Sequence, residues 1–341
     1  MTLPEDHALE MLITSRERDI GGFFVRRILP YMSHRMVGPF VFFDHMGPAE
    51  FAPHVGMDVR PHPHTHLSTV TYLFEGAIRH HDSLGSDQII EPGAINFMTA
   101  GHGIVHSERT PDPIRSSGGR INGIQCWLAI PEAVEDCAPA FSHHPAASLP
   151  EFTIGRGRYR LLMGSAFGHK SPVPVLSDLF YVEIVLPRGE TLEINEPSRE
   201  AAVYVVSGAV EADGVAVEPY TMAVLKNGRR LQFVAREDSR VMVLGGASLG
   251  PRFLYWNFVA SSKEKLEQAK RDYASGPGST RFPKVPGDTQ EFIPLPDEPA
   301  RGTSMWGCMR PPQRSAPPRL TGHAVVIPAH DTPASSVGRS S

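Results

Sequence analysis

The chain has 341 residues, of which 41% are hydrophobic and 21% are charged, and its formal net charge is −4. This composition is typical of a globular protein long enough for two domains. The net charge provides no basic field that would favour a nucleic-acid partner. Cys126, Cys137 and Cys308 are odd in number and lack CxxC spacing, which argues against a disulfide framework and a thiolate zinc site.

The sequence also argues against a membrane partner. The first 19 residues include early acidic side chains and no apolar core, and no run of about 18 apolar residues occurs in the chain. We therefore expect neither a signal peptide nor a transmembrane span, and we predict a cytoplasmic location.

Short apolar runs separated by Gly and Pro follow one another from residue 21 to residue 131. Turns recur every eight or nine residues without a helical period between them, which indicates an antiparallel barrel or sandwich. The run INGIQCWLAIP at 121–131 is the last predicted strand of this half.

The strand pattern stops between residues 132 and 152, where Ala, Pro, His and Ser dominate, and returns from about residue 158. We predict a linker in this interval, with His143 and His144 in a loop. The second half reads as another copy of the first architecture. We therefore predict an all-β protein with two barrel domains, at residues 1–140 and 141–300.

A single helix is predicted near residues 261–274. Ser261 or Ser262 can cap it, and Leu266, Ala269 and Tyr273 recur at helical spacing. Residues 301–341 are rich in Pro, Arg, Ser and Ala, and we expect them to form a disordered tail.

Two pairs of side chains with metal-binding chemistry stand two residues apart. His62 and His64 lie beside the strand-like run TVTYLF, and if they belong to the same strand both imidazoles project from one face. His106 and Glu108 repeat this spacing in GIVHSE. Two strands of one barrel would then aim three imidazoles and a carboxylate at one point. This set suits one divalent first-row metal and leaves coordination positions open, as in catalytic sites.

Simpler interpretations of these residues exist. The sequence HPHTH is also compatible with a His-rich loop, and GIVHSE with a strand that has a polar outer face. His66 continues the alternation of His62 and His64, so it is a candidate for a spare ligand, a substrate contact or a surface residue.

Other histidines have weaker signals. His45 follows a buried strand and is predicted to be a hydrogen-bonded structural residue rather than a metal ligand. His80 and His81 lie past a turn, where a solvated or edge-strand role is expected. His102 stands between two glycines, where a position on a pocket rim and simple exposure are both compatible with the sequence.

Longer motifs connect the chain to a known family. The spacing GMDVRPHPH, the stretch PHPHTHLSTVTYLFEGAIRHHDSLG and the later PGAINFMTAGHGIVHSE resemble the pirin family of bicupins. The motifs VRRILP, NGIQCWLAIP and WNFVASSKEKLEQAKRDY extend the resemblance over roughly residues 18–297. It implies two tandem cupin barrels, with one metal ion in the N-terminal barrel and none in the C-terminal one.

The resemblance also implies a ligand set and a metal. The family's four ligands correspond to His62, His64, His106 and Glu108, and its usual metal is iron, so Fe(II) is expected, with Mn, Ni, Cu or Zn as alternatives. Ser68 stands where many family members have a Glu. This departure leaves the ligands intact but leaves pocket charge and substrate preference open.

Two functions follow from the resemblance. The first is a flavonol (quercetin) 2,3-dioxygenase, an oxidoreductase that uses dioxygen and a small phenolic substrate, with Glu108 as the base. Phe97, Met98 and Trp127 are candidates for its pocket walls or for core packing. The second is an iron-containing redox-sensing regulator that binds a transcription factor or a metabolic enzyme. A cupin with a different small substrate is the remaining alternative.

Overall fold

The computed structural model of the protein describes residues 7–20 and 23–296. The predicted tail at 301–341 lies outside the described residues. Two α-helices, α1 (Asp112–Ser117) and α2 (Lys263–Tyr273), and two short 3₁₀ helices, Glu132–Val134 and Ala146–Ser148, accompany the strands. The strands are β1 (Leu9–Thr14), β2 (Arg16–Asp19), β3 (Phe24–Leu29), β4 (Phe40–Phe51), β5 (Asp58–His64), β6 (Leu67–Glu75), β7 (Ile78–Asp82), β8 (Asp87–Ile90), β9 (Ile95–Thr99), β10 (Ile104–Arg109), β11 (Gly119–Ala129), β12 (Ala140–His144), β13 (Glu151–Ile154), β14 (Gly157–Ala166), β15 (His169–Lys170), β16 (Leu179–Leu186), β17 (Thr191–Asn195), β18 (Glu200–Ser207), β19 (Val210–Ala212), β20 (Val215–Val217), β21 (Thr221–Leu225), β22 (Arg230–Ala235), β23 (Ser239–Gly246), β24 (Phe253–Tyr255) and β25 (Phe258–Ala260).

All of these strands except β24 and β25, which form a separate two-stranded sheet, build two barrels, each made of a large sheet and a four-stranded sheet. In the first barrel the large sheet has the order β12-β9-β6-β11-β4-β3-β2 and the small sheet the order β5-β10-β7-β8. In the second barrel the orders are β1-β21-β18-β23-β16-β14-β13, with β15 paired to β14, and β17-β22-β19-β20. The two sheets of each barrel share an apolar core. The predicted all-β fold with two tandem cupin domains is confirmed.

The central strands of the large sheets are buried on both faces, because each sheet covers its own barrel and also packs against the other barrel. Successive side chains of a strand point to opposite faces. In β6, Leu73 lies in the core of the first barrel, whereas Val70 and Tyr72 join a cluster with Tyr181 and Met242 of the second barrel. Each buried side chain of this size contributes about 1.5–3 kcal/mol to stability.

Polar side chains also cross between the barrels. The Tyr72 hydroxyl donates a hydrogen bond of 2.5 Å to the Glu183 carboxylate. The His45 ring is fully buried, with Nδ1 at 2.8 Å from the Tyr204 hydroxyl and Nε2 at 2.7 Å from Asn122 Oδ1. The prediction that His45 is a hydrogen-bonded structural residue is therefore confirmed.

Strands near the start and near the end of the described residues connect the two barrels. Strand β1 pairs with β21 of the second barrel, and Phe258 of β25 bridges to Thr65 of the first. Strand β12 pairs with β9, so His143 and His144 lie in a strand. The prediction that these two residues lie in a loop is therefore wrong. The position of the domain boundary near residue 140 stays a prediction.

Helix α2 confirms the predicted C-terminal helix. The Ser262 hydroxyl accepts a hydrogen bond of 3.3 Å from the Lys265 backbone N–H, which caps the first turn. The buried side chains of the helix are Leu266, Ala269 and Tyr273. Neither helix within the described residues has the length and apolar character needed to span a bilayer.

The burial of His45 predicts a pH-dependent contribution to stability. Burial lowers the pKa of His45 from 6.5 to about 4. Between these pH values the unfolded chain binds a proton that the folded chain excludes, so stability is complete above pH 6.5 and falls as the pH drops to about 4, by about 3 kcal/mol. We expect His45→Gln to remove this loss, as measured by urea unfolding of wild type and variant from pH 7 to pH 4.

His54→Asn, at an exposed position with φ +68°, serves as the control and should leave the pH dependence unchanged. Parallel stability curves for wild type and His45→Gln over this pH range would contradict the assignment.

Candidate metal centre

Three of the predicted ligands meet on the small sheet of the first barrel. Strands β5 and β10 are antiparallel neighbours, and their register places His106 directly opposite His62. His64 lies two residues further along β5 and faces the same side. One ring nitrogen from each of His62, His64 and His106 lies within 4.8 Å of the other two. Imidazole nitrogens bind metals at about 2 Å, so this spacing approaches that of a single-ion site.

The strand that carries His62 and His64 differs from the expected one. Strand β5 ends at His64, and the run TVTYLF belongs to β6 in the opposite sheet. The chain turns between the sheets at His66, which has φ +57°. The expectation of one continuous strand is therefore wrong. His62 and His64 nevertheless lie two residues apart in one strand, β5, so their side chains project from the same face.

The turn also removes His66 from the cluster. Its Nδ1 lies 2.9 Å from the Val259 carbonyl oxygen, and its Nε2 lies 3.0 Å from the Asp136 carboxylate. The side chain is almost fully buried. Among the roles considered for His66, a surface position is therefore wrong, and it is not part of the three-histidine cluster.

The hydrogen bonds of His62 and His64 fix which nitrogen faces the cluster. His62 Nδ1 lies 2.8 Å from the Arg60 carbonyl oxygen, and His64 Nδ1 lies 3.2 Å from the Asn257 carbonyl oxygen. A carbonyl oxygen only accepts, so each Nδ1 carries the proton and donates it. The Nε2 lone pair of each ring is then available to a metal.

His106 supplies the third nitrogen. Its Nδ1 contacts His80, and its Nε2 is buried without a hydrogen-bond partner among the described residues. Buried polar atoms of proteins are normally satisfied. A metal ion at the cluster would satisfy His106 Nε2, so the residues present fit such an ion.

The electrostatics of the cluster favour neutral imidazoles. Burial is the main cause that lowers the pKa of all three rings, and the pKa values of His64 and His106 lie well below the ordinary value. Neutral imidazole is the form that binds metals. The cluster is therefore ready for a metal at neutral pH without the loss of a proton from these rings.

Glu108, the fourth predicted ligand, lies outside the three-histidine cluster. The Gln125 amide donates hydrogen bonds of 2.8 and 2.9 Å to its two carboxylate oxygens, and the Thr71 hydroxyl donates one of 3.4 Å. Its negative charge acts on His62 by raising the pKa of that ring, against the larger effect of burial. The role of Glu108 as a ligand stays a prediction.

His80 and Asp82 were not identified as site residues from the sequence. His80 is buried in β7, an inner strand of the small sheet, so the expected solvated or edge-strand role is wrong for this residue. His80 Nε2 lies 3.0 Å from the Asp82 carboxylate. Burial favours a raised pKa of Asp82, but hydrogen bonds from His80 and Ser86 outweigh it and lower that pKa. The sequence did contain a signal for this pair: His80 and Asp82 are two residues apart, so in a strand their side chains project from the same face.

His81 points away from this network. It is half-buried, and its Nε2 lies 3.0 Å from the Asp87 carboxylate on the outer face of the small sheet.

His102 is exposed on the rim of a cavity of about 450 Å³. The lining of that cavity consists of His66, His102, Asp136, Lys265, Gln268, Thr280 and Arg281. A second cavity of about 400 Å³ lies beside β2, β3 and the end of β4, and neither cavity is lined by His62, His64, His106 or Glu108.

Aromatic side chains form one wall of the candidate site. The Trp127 ring stacks on Phe42 at 3.9 Å and meets the His64 ring edge-on at 5.1 Å. Met98 joins the same apolar cluster, whereas Phe97 packs in the cluster between the barrels. Trp127 is therefore a residue of the site wall, and Phe97 is a core residue.

Polar side chains lie on the same inner face of the large sheet. Gln125 pairs in register with Asp44, and Asp44 forms two hydrogen bonds, of 2.9 and 2.8 Å, with Arg27. Gln125 and Arg27 are partly exposed. Ser68 is buried on the opposite face of this sheet, the face of Val70 and Phe97, with its hydroxyl 3.2 Å from that of Thr99. Solvent therefore reaches the barrel interior near Gln125 and Arg27.

Comparison with known proteins finds a family match in each half of the chain. The Pirin family model matches residues 22–128, and the model of the Pirin C-terminal cupin domain matches residues 181–280. A pirin-like protein of Caulobacter vibrioides is 49% identical over 292 residues, which cover 85% of this chain and all of that protein.

Two solved structures of quercetin 2,3-dioxygenase from Acinetobacter baumannii are also similar. One superposes with a TM-score of 0.79 at 32% identity and covers 85% of this chain and 96% of its own. The other has a TM-score of 0.74 at 26% identity and covers 78% of this chain and 96% of its own.

Removal of a cluster histidine is expected to abolish metal binding. His62→Ala and His106→Ala each remove one of three nitrogens, so both variants should lose the bound metal, as measured by elemental analysis after anaerobic purification. Thermal unfolding of the second barrel should be retained, and exposed His102→Ala should bind metal like the wild type. One equivalent of metal in both cluster variants would contradict the assignment.

Glu108→Gln tests the fourth ligand, because it removes the charge and keeps the shape. If Glu108 binds the metal, the affinity should fall by more than about tenfold, as measured by competition with a chelator. Glu75→Gln, whose side chain pairs with Arg120 at the end of β6, is the matched control. Equal affinity of Glu108→Gln and wild type would show that the three histidines suffice.

Proposed function

This chain belongs to the pirin family of bicupins, and we propose that it is a metal-dependent dioxygenase that acts on a flavonol such as quercetin. One observation carries the proposal. Three buried, neutral imidazoles converge inside the first barrel, and the Nε2 atom of His106 has no partner among the described residues. Sites of this kind are open metal centres, which are catalytic in layout.

His62, His64 and His106 would hold the metal, with Glu108 as the fourth ligand. We propose Fe(II), because neutral imidazoles with one carboxylate suit a first-row metal of intermediate softness; Mn, Ni, Cu and Zn fit the same donors. When bound, the metal would supply Lewis-acid activation of the flavonol hydroxyl group and, if it is redox-active, a centre for the reaction with dioxygen.

The inner face of the large sheet supports a flat phenolic substrate. Trp127 and Phe42 form a stacked aromatic wall beside His64, and such walls bind aromatic rings through offset or edge contacts. Gln125 and the Arg27–Asp44 pair add hydrogen-bonding groups where the barrel interior meets solvent. This combination of an apolar wall with a few polar groups is common in small-molecule sites.

Glu108 is positioned to take a proton from the substrate. Its carboxylate is buried, and Gln125 donates to both of its oxygens, which holds the group in one orientation. A base must lie within hydrogen-bond reach of the proton that it removes. In this proposal the carboxylate accepts the proton of the flavonol 3-hydroxyl group. The similarity to the dioxygenases of Acinetobacter baumannii supports the same substrate class.

A second candidate function is a redox-sensing regulator with a protein partner. The segment at 257–259 contacts the chain at the candidate site twice: the Asn257 carbonyl, just before β25, lies 3.2 Å from His64 Nδ1, and the Val259 carbonyl in β25 lies 2.9 Å from Nδ1 of His66, in the turn after β5. Helix α2 follows β25 directly. A change at the metal would thus have a short path to the surface of α2.

Oxygen uptake separates the two functions. We expect protein loaded anaerobically with Fe(II) to consume dioxygen when quercetin is added, as measured with an oxygen electrode. A flavone without the 3-hydroxyl group should cause no uptake, because it has no proton for Glu108 to remove. The His106→Ala variant should also be inactive.

The outcomes are distinct. Two results would contradict the proposed chemistry: the same rate of oxygen uptake with quercetin and with the flavone, or the same rate in His106→Ala and in wild type. Stoichiometric metal without any uptake would contradict the dioxygenase and favour the regulator.

A further inference from the structure

Three buried side chains form a hydrogen-bonded series behind the metal site. His106 Nδ1 lies 3.3 Å from His80 Nδ1, and His80 Nε2 lies 3.0 Å from Asp82 Oδ2. The other oxygen of Asp82 accepts hydrogen bonds from the backbone N–H groups of Leu84 and Ser86, at 2.9 and 3.0 Å. The series therefore runs from the Asp82 carboxylate through the His80 ring to His106 Nδ1, the ring nitrogen that faces away from the cluster.

The acceptors in this series determine where the protons lie. The Asp82 carboxylate can only accept, so His80 Nε2 carries a proton and donates it. In a neutral His80 ring, Nδ1 then has a lone pair and accepts from His106 Nδ1–H. His106 Nε2 consequently has no proton, and its lone pair is directed away from His80.

The surroundings hold the series in place. His80 stacks on Phe141 with ring centroids 4.4 Å apart and planes tilted by 13°. Strands β7 and β10 are paired in register, with Asp82 opposite His106 and His80 opposite Glu108. Asp82 is fully buried and His80 almost so. Neither ring can turn without breaking several contacts.

His106 differs from the other two histidines of the cluster. The rings of His62 and His64 are oriented by backbone carbonyls, which every sequence supplies, whereas the ring of His106 depends on the side chain of His80. Carboxylates and carbonyls commonly orient metal-binding histidines from outside the site, and their loss typically weakens metal binding by about 10- to 100-fold.

We propose that His80, held by Asp82, is the positioning residue that keeps His106 in the tautomer with a free Nε2. The inference rests on the proposed metal centre and adds to it a residue that does not touch the metal. His80 acts through His106, so its loss weakens metal binding without removing a ligand.

Two substitutions at one position test this role. His80→Phe keeps the ring shape and the stacking on Phe141 but removes both hydrogen bonds. His80→Gln can still accept from His106 and donate to Asp82. We expect the Fe(II) affinity, measured anaerobically by competition with a chromogenic chelator, to fall about 10- to 100-fold in His80→Phe and to be largely restored in His80→Gln. His81→Phe, on the opposite face of β7, is the matched control and should bind like wild type.

A measurement on the unsubstituted protein keeps the inference testable if a variant fails to fold. ¹⁵N NMR of the metal-free wild type should show His106 protonated on Nδ1 and unprotonated on Nε2. A proton on Nε2 would overturn the inference, as would equal affinity of His80→Phe and wild type. Equal loss in His80→Phe and His80→Gln would also overturn it, since packing alone would then explain the effect.

These results are separable from a failure of the metal centre. If wild-type protein binds no Fe(II), the metal centre is wrong, and the ¹⁵N tautomer alone decides the role of His80. If wild type binds Fe(II) and His80→Phe binds it equally well, the metal centre is supported and the positioning role of His80 is contradicted.

Discussion

The antiparallel register of β5 and β10 is the constraint on which the site depends. It places His106 opposite His62, and the two-residue period of β5 adds His64 to the same face. A shift of one residue would turn these side chains to the other face of the small sheet. The large sheet covers the cluster and contributes Trp127 and Gln125 from β11. The chemistry thus follows from strand pairing within one barrel.

Burial of three imidazoles has an energetic cost that their hydrogen bonds offset. Each Nδ1 has a partner, which is the Arg60 carbonyl, the Asn257 carbonyl or the His80 ring. The Asn257 carbonyl belongs to the segment that returns from the second barrel, so the candidate metal centre includes a contact from outside the strands of the first barrel. Burial keeps the rings neutral, and the neutral form is the one a metal binds.

Much of this arrangement could be predicted from sequence, because the spacing of ligands along a strand is local. The two-residue pairs predicted that His62, His64 and His106 would meet, although the strand of His62 and His64 was wrongly joined to TVTYLF, and the turn signals predicted the barrels. The corner at His66 could not be predicted, since a non-glycine residue with φ +57° gives no local signal and its side chain is satisfied by Asp136 and Val259, which are distant in sequence. His80 was misjudged for the same reason, because its burial comes from Phe141, far along the chain. The hydrogen bonds from Gln125 to Glu108 could not be predicted either, because Gln125 lies in the other sheet and no spacing rule relates the two residues.

The central claim is that His62, His64 and His106 hold one metal ion through neutral imidazole nitrogens. X-ray absorption spectroscopy at the edge of the bound metal, on the full chain purified without oxygen, tests it most directly. The account predicts a first shell of nitrogen and oxygen only, with outer-shell scattering from three imidazoles. A first shell that contains sulfur, or a spectrum with no imidazole scattering, would contradict it.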